Sequence, residues 1–152
     1  MRRLFIVAAA CAALSACGGD DHKSAATGRV LEVGDASVRV EIAADEASQQ
    51  RGLSGRDSLA PDAGMLFLLD TDRPSFWMRG MRFPLDFVWI RDGRVVDLLT
   101  DVQPPSGADG ALPTFSPRRP ANRALEVNAG WVDRHGVRRG DAVRLRRAGA
   151  SG

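Results

Sequence analysis

Two acidic residues lie in apolar stretches of the sequence, and their carboxyl groups are the first candidates for catalysis or ligand binding. Asp86 lies in the run 84–90 and Glu126 in the run 124–127. Burial raises the pKa of a carboxyl group, whereas a nearby arginine lowers it. Two carboxyls around one cleft could act as general acid and base, for example on a glycosidic bond. Alternatively, Asp86 accepts backbone N–H bonds, and Glu126 pairs with an arginine or faces water.

Four arginines could form a site for an anionic ligand, because guanidinium groups bind carboxylates and phosphates through paired hydrogen bonds. These are Arg51, Arg56, Arg79 and Arg82. The alternative is that they are solvated surface residues of an arginine-rich chain.

Two tryptophans, Trp77 and Trp131, could stack on a sugar ring, or they could join Trp89 in the core. The candidate catalytic residues are therefore Asp86 and Glu126. The candidate ligand-binding residues are Arg51, Trp77, Arg79, Asp86 and Glu126.

Other catalytic chemistries find little support. No Ser-His-Asp or Cys-His set can be assembled, and His135 sits beside Gly136, where a helix end is expected. The chain has no phosphate-binding loop and no metal-ligand spacing, so we expect neither a cofactor nor a metal. Enzymatic activity is left open, and a non-catalytic role is favoured.

Strands and turns must position these residues. Alternation of apolar and polar residues over 38–42 predicts a half-buried strand, and Asp92-Gly93 between two apolar runs predicts a hairpin. Residues 45–51 predict a short helix that ends at Gly52. Residues 103–120 carry five prolines and predict a long loop.

The resulting fold class is mostly β, with about seven short strands and two short helices. Sequential hairpins favour an antiparallel sheet closed into a small barrel or sandwich. We expect a single domain over residues 29–147, a frayed tail over 148–152 and a monomer.

The N-terminus predicts export and lipidation. A basic start precedes an apolar segment, residues 4–14, which is too short to span a bilayer as a stable helix. Leu14-Ser15-Ala16-Cys17 resembles the lipobox of bacterial lipoproteins, which makes residues 1–16 a signal peptide and Cys17 the lipidated residue. Residues 17–28 would be a tether. A plain signal peptide or short membrane anchor is the alternative.

The absence of aspartate after Cys17 favours the outer membrane over the inner one, with the domain facing the periplasm. Cleavage removes Arg2 and Arg3, and the 19 basic residues left equal the 19 acidic ones. A nucleic-acid partner is therefore not expected. Cys11 is lost as well, so no disulfide can form.

Six motifs in order carry a resemblance to a known family. They are Arg51-Gly52-Leu53 with Arg56, Gly64-Met65-Leu66-Phe67, Phe76-Trp77-Met78, Pro84-Leu85-Asp86, Leu125 to Trp131, and Gly140-Asp141. Over about residues 35–146 the chain resembles the domain of unknown function 192 family. The resemblance implies a compact, mostly antiparallel β domain, frequently exported or lipid-anchored, and no established activity.

The chain departs from the family pattern at two places. Gly80-Met81 follows Arg79 where the family usually has Asn-Thr, and Ser54 stands where methionine is common.

Three functions are carried forward. The leading one is an envelope lipoprotein that binds a small anionic or saccharide ligand, or a cell-wall fragment. The second is a hydrolase of envelope polysaccharide that uses Asp86 and Glu126. The third is an assembly or scaffold protein whose loop 103–120 contacts a partner.

Overall fold

The computed structural model describes residues 28–105 and 112–149. The predicted signal peptide, Cys17 and nearly all of the predicted tether lie outside the described residues. The middle of the proline-rich loop and the last three residues lie outside them as well.

The described chain is mostly β with two short helices, as the sequence predicts. The strands are β1 Arg29–Val33, β2 Ala36–Ala43, β3 Ala63–Leu68, β4 Phe76–Trp77, β5 Leu85–Arg91, β6 Arg94–Val102, β7 Thr114–Phe115, β8 Arg123–Asn128 and β9 Val143–Arg147. The helices are α1 Glu46–Arg51 and α2 Trp131–Arg134.

Seven strands form one sheet in the order β6-β5-β8-β3-β2-β1-β9, and β4 and β7 form a separate two-stranded ribbon. The pairs in the sheet are antiparallel except β2 and β3, which are parallel. A parallel pair needs a long crossover, and residues 44–62 with α1 supply it. The expectation of sequential hairpins is therefore wrong at this connection. The Asp92-Gly93 hairpin is confirmed, with φ of 50° and 70° at its two turn residues.

The sheet curls so that its two edges meet at one end. Arg94, at the start of β6, forms an isolated bridge with Ala142, just before β9. The Val95 amide donates to the Asp141 carbonyl at 3.0 Å, and the Gly140 amide donates to the Val95 carbonyl at 2.8 Å. These bonds give the sheet the shape of a half-barrel.

Each face of the sheet buries its own apolar cluster, because successive strand residues point to opposite faces. The first cluster, here called the inner core, fills the curl and includes Leu66, Val88, Leu125 and Trp131. The second, here called the aromatic core, lies on the other face under the β4–β7 ribbon. Its members include Met65, Phe67, Phe76, Phe87, Trp89 and Phe115.

Capping residues set the ends of α1. The Asp45 side chain accepts from the Ser48 amide at 2.9 Å, and Gly52 ends the helix at φ 50°. Asn128 does not cap α2, since its side-chain amide donates to the carbonyls of Leu59 and Ala60. Gly130 precedes α2 in its place.

Within residues 28–105 and 112–149, no helix has the length and apolar character needed to cross a membrane.

Candidate functional site

A cavity of about 270 Å³ opens beside the aromatic core. One wall is α1 with residues 52–54 behind it, and the opposite wall comes from residues 67–77. Glu126 on β8 also lines the cavity. The parallel crossover between β2 and β3 carries α1 across this face of the sheet, and it thereby builds one side of the cavity.

Glu126 is the buried polar group of this cavity. Glu126 lies in the middle of the sheet, opposite Met65 on β3 and Phe87 on β5, and only 5% of its surface is exposed. In the described part of the chain no group donates a hydrogen bond to its carboxyl. Burial raises the pKa of Glu126 from 4.5 to about 8. The side chain is therefore largely a neutral carboxylic acid at pH 7, able both to donate and to accept a hydrogen bond.

Aromatic rings line the cavity together with this carboxyl. Phe76 packs edge-to-face on Phe67 with ring centroids 5.0 Å apart, and on Phe87 at 5.8 Å. Leu53 and Met81 add aliphatic surface to the lining. A ligand that enters would exchange water for apolar contacts on these sides.

Polar groups line the α1 side of the cavity, where Glu46 and Arg51 are both exposed. Trp77 is 45% exposed and also lines the cavity, and the Arg79 guanidinium carbon lies 5.5 Å from the centre of its ring. The expectation that Trp77 anchors the core is therefore wrong, whereas Trp89 and Trp131 are fully buried.

Asp86 lies on the other face of the sheet. It sits opposite Val127, so its side chain points towards the inner core while Glu126 points towards the aromatic core. Its two oxygens accept from the Asp101 amide at 2.9 Å and from the Val132 amide at 3.0 Å. The predicted carboxylate pair is wrong, because the two groups do not share a pocket. Asp86 ties β6 and α2 to β5.

The four arginines do not form one anion site. Arg56 makes a bidentate pair with Glu41 at 2.6 and 2.8 Å, and Arg82 pairs with Asp57. Arg79 lies over Trp77. Arg51 is the member of the set that lines the cavity.

The two departures from the family pattern contact each other. Ser54 Oγ donates to the Arg79 carbonyl at 2.6 Å, and the Gly55 amide donates to the Gly80 carbonyl at 2.9 Å. A Cβ added at Gly80 would meet the Ser54 Cβ at 3.4 Å, and Gly80 has φ 69°. The segment 54–55 therefore approaches the backbone closely at Gly80. These contacts hold together two segments that contribute to the cavity lining, one through Ser54 and the other through Met81.

No group of three or more metal-ligating side chains occurs among the residues that the structure describes. The chemistry open to the cavity is recognition by one carboxyl group, aromatic surface and polar groups of α1. Sequence reasoning selected Arg51, Trp77 and Glu126 but missed Glu46, Phe67 and Phe76. No local signal could have found these three, since they meet only through the crossover and the ribbon.

The fold and cavity define a small β half-barrel with a ligand-sized pocket. The chain belongs to the domain of unknown function 192 family (DUF192), whose model, described as "Uncharacterized ACR", matches residues 29–145. No curated protein matches the chain.

Two solved structures are similar to the chain. A protein of Sinorhizobium meliloti 1021, described as a "putative transcription regulator", is 33% identical with a TM-score of 0.68, and the match covers 77% of this chain and 92% of that one. A protein of unknown function from Novosphingobium aromaticivorans is 30% identical with a TM-score of 0.68, and the match covers 76% of this chain and 83% of that one.

Proposed function

We propose that the protein is a bacterial envelope lipoprotein, anchored through Cys17 and facing the periplasm, whose β domain binds a small saccharide in the cavity at Glu126. The observation that carries the binding role is a buried carboxyl without a hydrogen-bond donor among the described residues, placed in an aromatic-lined cavity. Because the described chain supplies no donor, the hydrogen bonds of this carboxyl are left to solvent or to a ligand in the cavity.

The cavity favours a saccharide over a simple anion. Saccharides present hydroxyl groups for the neutral Glu126 carboxyl and apolar ring faces for Trp77. Arg51 could bind an anion, but the exposed carboxylate of Glu46 lines the same cavity and repels one, and the neutral Glu126 carboxyl offers no charge to attract it. Of the two ligand classes expected from the sequence, a small anion or a saccharide, we therefore retain the saccharide.

Titration with wall saccharides tests the binding role. Trp89 and Trp131 are buried, so a ligand-dependent fluorescence change should come mainly from Trp77. We expect saturable quenching or enhancement that Trp77→Leu removes, with about a fivefold weaker Kd by calorimetry because stacking is worth about 1 kcal/mol. Arg119→Gln, exposed and outside the cavity lining, should bind as the parent does. No saturable signal across the panel would exclude the binding role.

Two matched cysteine variants test the anchor. Cys17→Ser should abolish incorporation of a labelled fatty acid, whereas Cys11→Ser, inside the predicted signal peptide, should keep it. Fractionation then distinguishes inner from outer membrane, and we expect the outer one because Gly18 rather than aspartate follows the cysteine. Lipid incorporation that persists in Cys17→Ser would contradict the proposal.

Neither alternative function is adopted. The predicted hydrolase requires Asp86 and Glu126 in one pocket, but their side chains point to opposite faces of the sheet. The second carboxyl that lines the cavity belongs to Glu46, which is exposed. The scaffold role needs a free proline-rich loop, yet β7 from that loop pairs with β4 and the Arg118 amide donates to buried Asp97 at 2.8 Å. A role in transcription, as described for the Sinorhizobium protein, is not adopted, because α1 and α2 have only six and four residues and a groove-reading helix is longer.

A further inference from the structure

We infer that the ligand presents a protonated amine to Glu126, so that among saccharides the cavity takes an amino sugar in preference to a neutral sugar. This inference rests on the proposed function and names the ligand class of the same site.

The first argument is the balance of charge in the cavity. The charged side chains of the described chain that line it are Glu46 and Arg51, both on α1, and Glu126 on β8. The residues of β3 and β5 that flank Glu126 are Met65 and Phe87, which carry no charge. Arg51 is exposed and makes no ion pair with Glu126, so no described cation of the lining stabilises the ionised form of this carboxyl. An ammonium group would stabilise that form and would supply hydrogen-bond donors to it.

The second argument is the aromatic lining. Phe67, Phe76 and Trp77 line the cavity, and the face of an aromatic ring attracts a cation within about 6 Å of its centroid. One face of Trp77 is covered by the Arg79 guanidinium, 5.5 Å from its ring centre, so Phe67 and Phe76 are the rings available to a cation of the ligand. Rings of this kind would repel a carboxylate or phosphate and would be nearly indifferent to a hydroxyl group.

The proton balance of the step follows from the two ionisable partners. In the free protein Glu126 holds a proton at neutral pH, because burial raises its pKa. When an ammonium group binds beside it, the carboxyl ionises, the ion pair forms and one proton passes to the solvent. A neutral sugar leaves the proton on Glu126, so its binding releases none. The number of protons released therefore reports which group meets the carboxyl.

Calorimetry with glucosamine, glucose and N-acetylglucosamine tests the inference, because the three share one ring and differ at one position. At about pH 6.5, in two buffers of different ionisation enthalpy, we expect glucosamine to bind at least about tenfold more tightly than glucose. It should release about one proton per ligand, and N-acetylglucosamine about none.

Glu126→Gln keeps the shape of the side chain but cannot ionise, so it removes the partner of the ammonium group. Its ratio of glucosamine to glucose affinity should fall to about one, with no proton released. Glu32→Gln on β1, away from the cavity, should behave as the parent does. Binding of the neutral sugars without preference for glucosamine would overturn the amine inference and leave the proposed function standing. No binding by any of the three sugars would contradict both.

Discussion

Asp86 and Glu126 are two buried carboxyls on neighbouring strands, and the sheet separates their roles. Asp86 faces the inner core, where two backbone amides donate to it at 2.9 and 3.0 Å. Glu126 faces the aromatic core, where no described group donates to it. Nearly equal burial therefore gives a structural tie on one face and an unpaired group beside a cavity on the other.

The comparison teaches that burial alone does not distinguish a structural carboxyl from a binding one. What distinguishes them is whether the protein itself supplies the hydrogen-bond donors. At Asp86 the protein supplies the donors, so removing the carboxyl leaves backbone amides unpaired. At Glu126 it does not, so replacing the carboxyl by a group that cannot ionise removes the free-energy cost of burying the charge.

The largest expected effect is the pH dependence of stability caused by Glu126. Its pKa rises from 4.5 to about 8 on folding, so the folded state binds the proton more tightly. This contribution is complete below about pH 4.5 and is lost as pH rises to about 8. The loss is at most about 5 kcal/mol. Urea unfolding between these pH values should show the decline, and Glu126→Gln should flatten it. An equally steep decline in the variant would show that Glu126 is not its source.

Asp86→Ala should destabilise the domain by about 3 kcal/mol, because the amides of Asp101 and Val132 lose their acceptor. Asp97→Ala is the matched control, since Asp97 is also buried but accepts one backbone bond, from Arg118. Its cost should be about half as large. The measurement is the midpoint and slope of urea unfolding at constant pH. A smaller loss of stability at Asp86 than at Asp97 would contradict the view that the cost depends on how many backbone amides donate to the carboxyl.

Gly64→Ala tests how closely β3 and β8 must approach at Glu126. A Cβ there would lie 2.7 Å from the Glu126 carbonyl oxygen, which is backbone and cannot move aside. We expect a loss of about 2 kcal/mol. The variant should also weaken ligand binding, because it shifts the strand that carries the carboxyl. Gly28→Ala meets only the Ala148 Cβ at 3.6 Å and should be neutral by thermal unfolding. Equal stabilities for the two variants would contradict the close approach.

Two ion pairs test the effect of burial on charged groups, and the expected energies are smaller than those above. The pair of Arg56 and Glu41 is half-buried and bidentate, whereas the pair of Arg39 and Asp62 is more than half exposed. Double-mutant cycles should give about 1 kcal/mol for the first pair and less than about 0.5 kcal/mol for the second. A larger coupling energy at the exposed pair would contradict the role assigned to burial.

Patterns within single strands and helices were predictable from the sequence, and arrangements between distant segments were not. Alternation over residues 38–42 correctly predicted the half-buried strand β2, and residues 45–51 correctly predicted α1. The parallel pairing of β2 and β3 has no local signal. Neither has the assembly of Phe67, Phe76 and Glu126 around one cavity, because it depends on which strands become neighbours.

The exposure of Trp77 shows a second limit. A tryptophan in an apolar run is ordinarily a core residue, and the sequence gives no sign that β4 pairs only with β7. Because this ribbon has just two residues in each strand, one side of it stays open to solvent. Trp77 occupies that side at the cavity.

The pairing of the first strand with the last has a consequence for the order of folding. Arg29 lies opposite Arg147, so the final pair of the sheet joins residues at the two ends of the domain. Bringing such distant segments together costs chain entropy that no local contact offsets, and this slows folding. Until β9 is synthesised, β1 remains an unpaired edge and the half-barrel cannot close. The sheet of this domain therefore stays incomplete until its last strand has been synthesised.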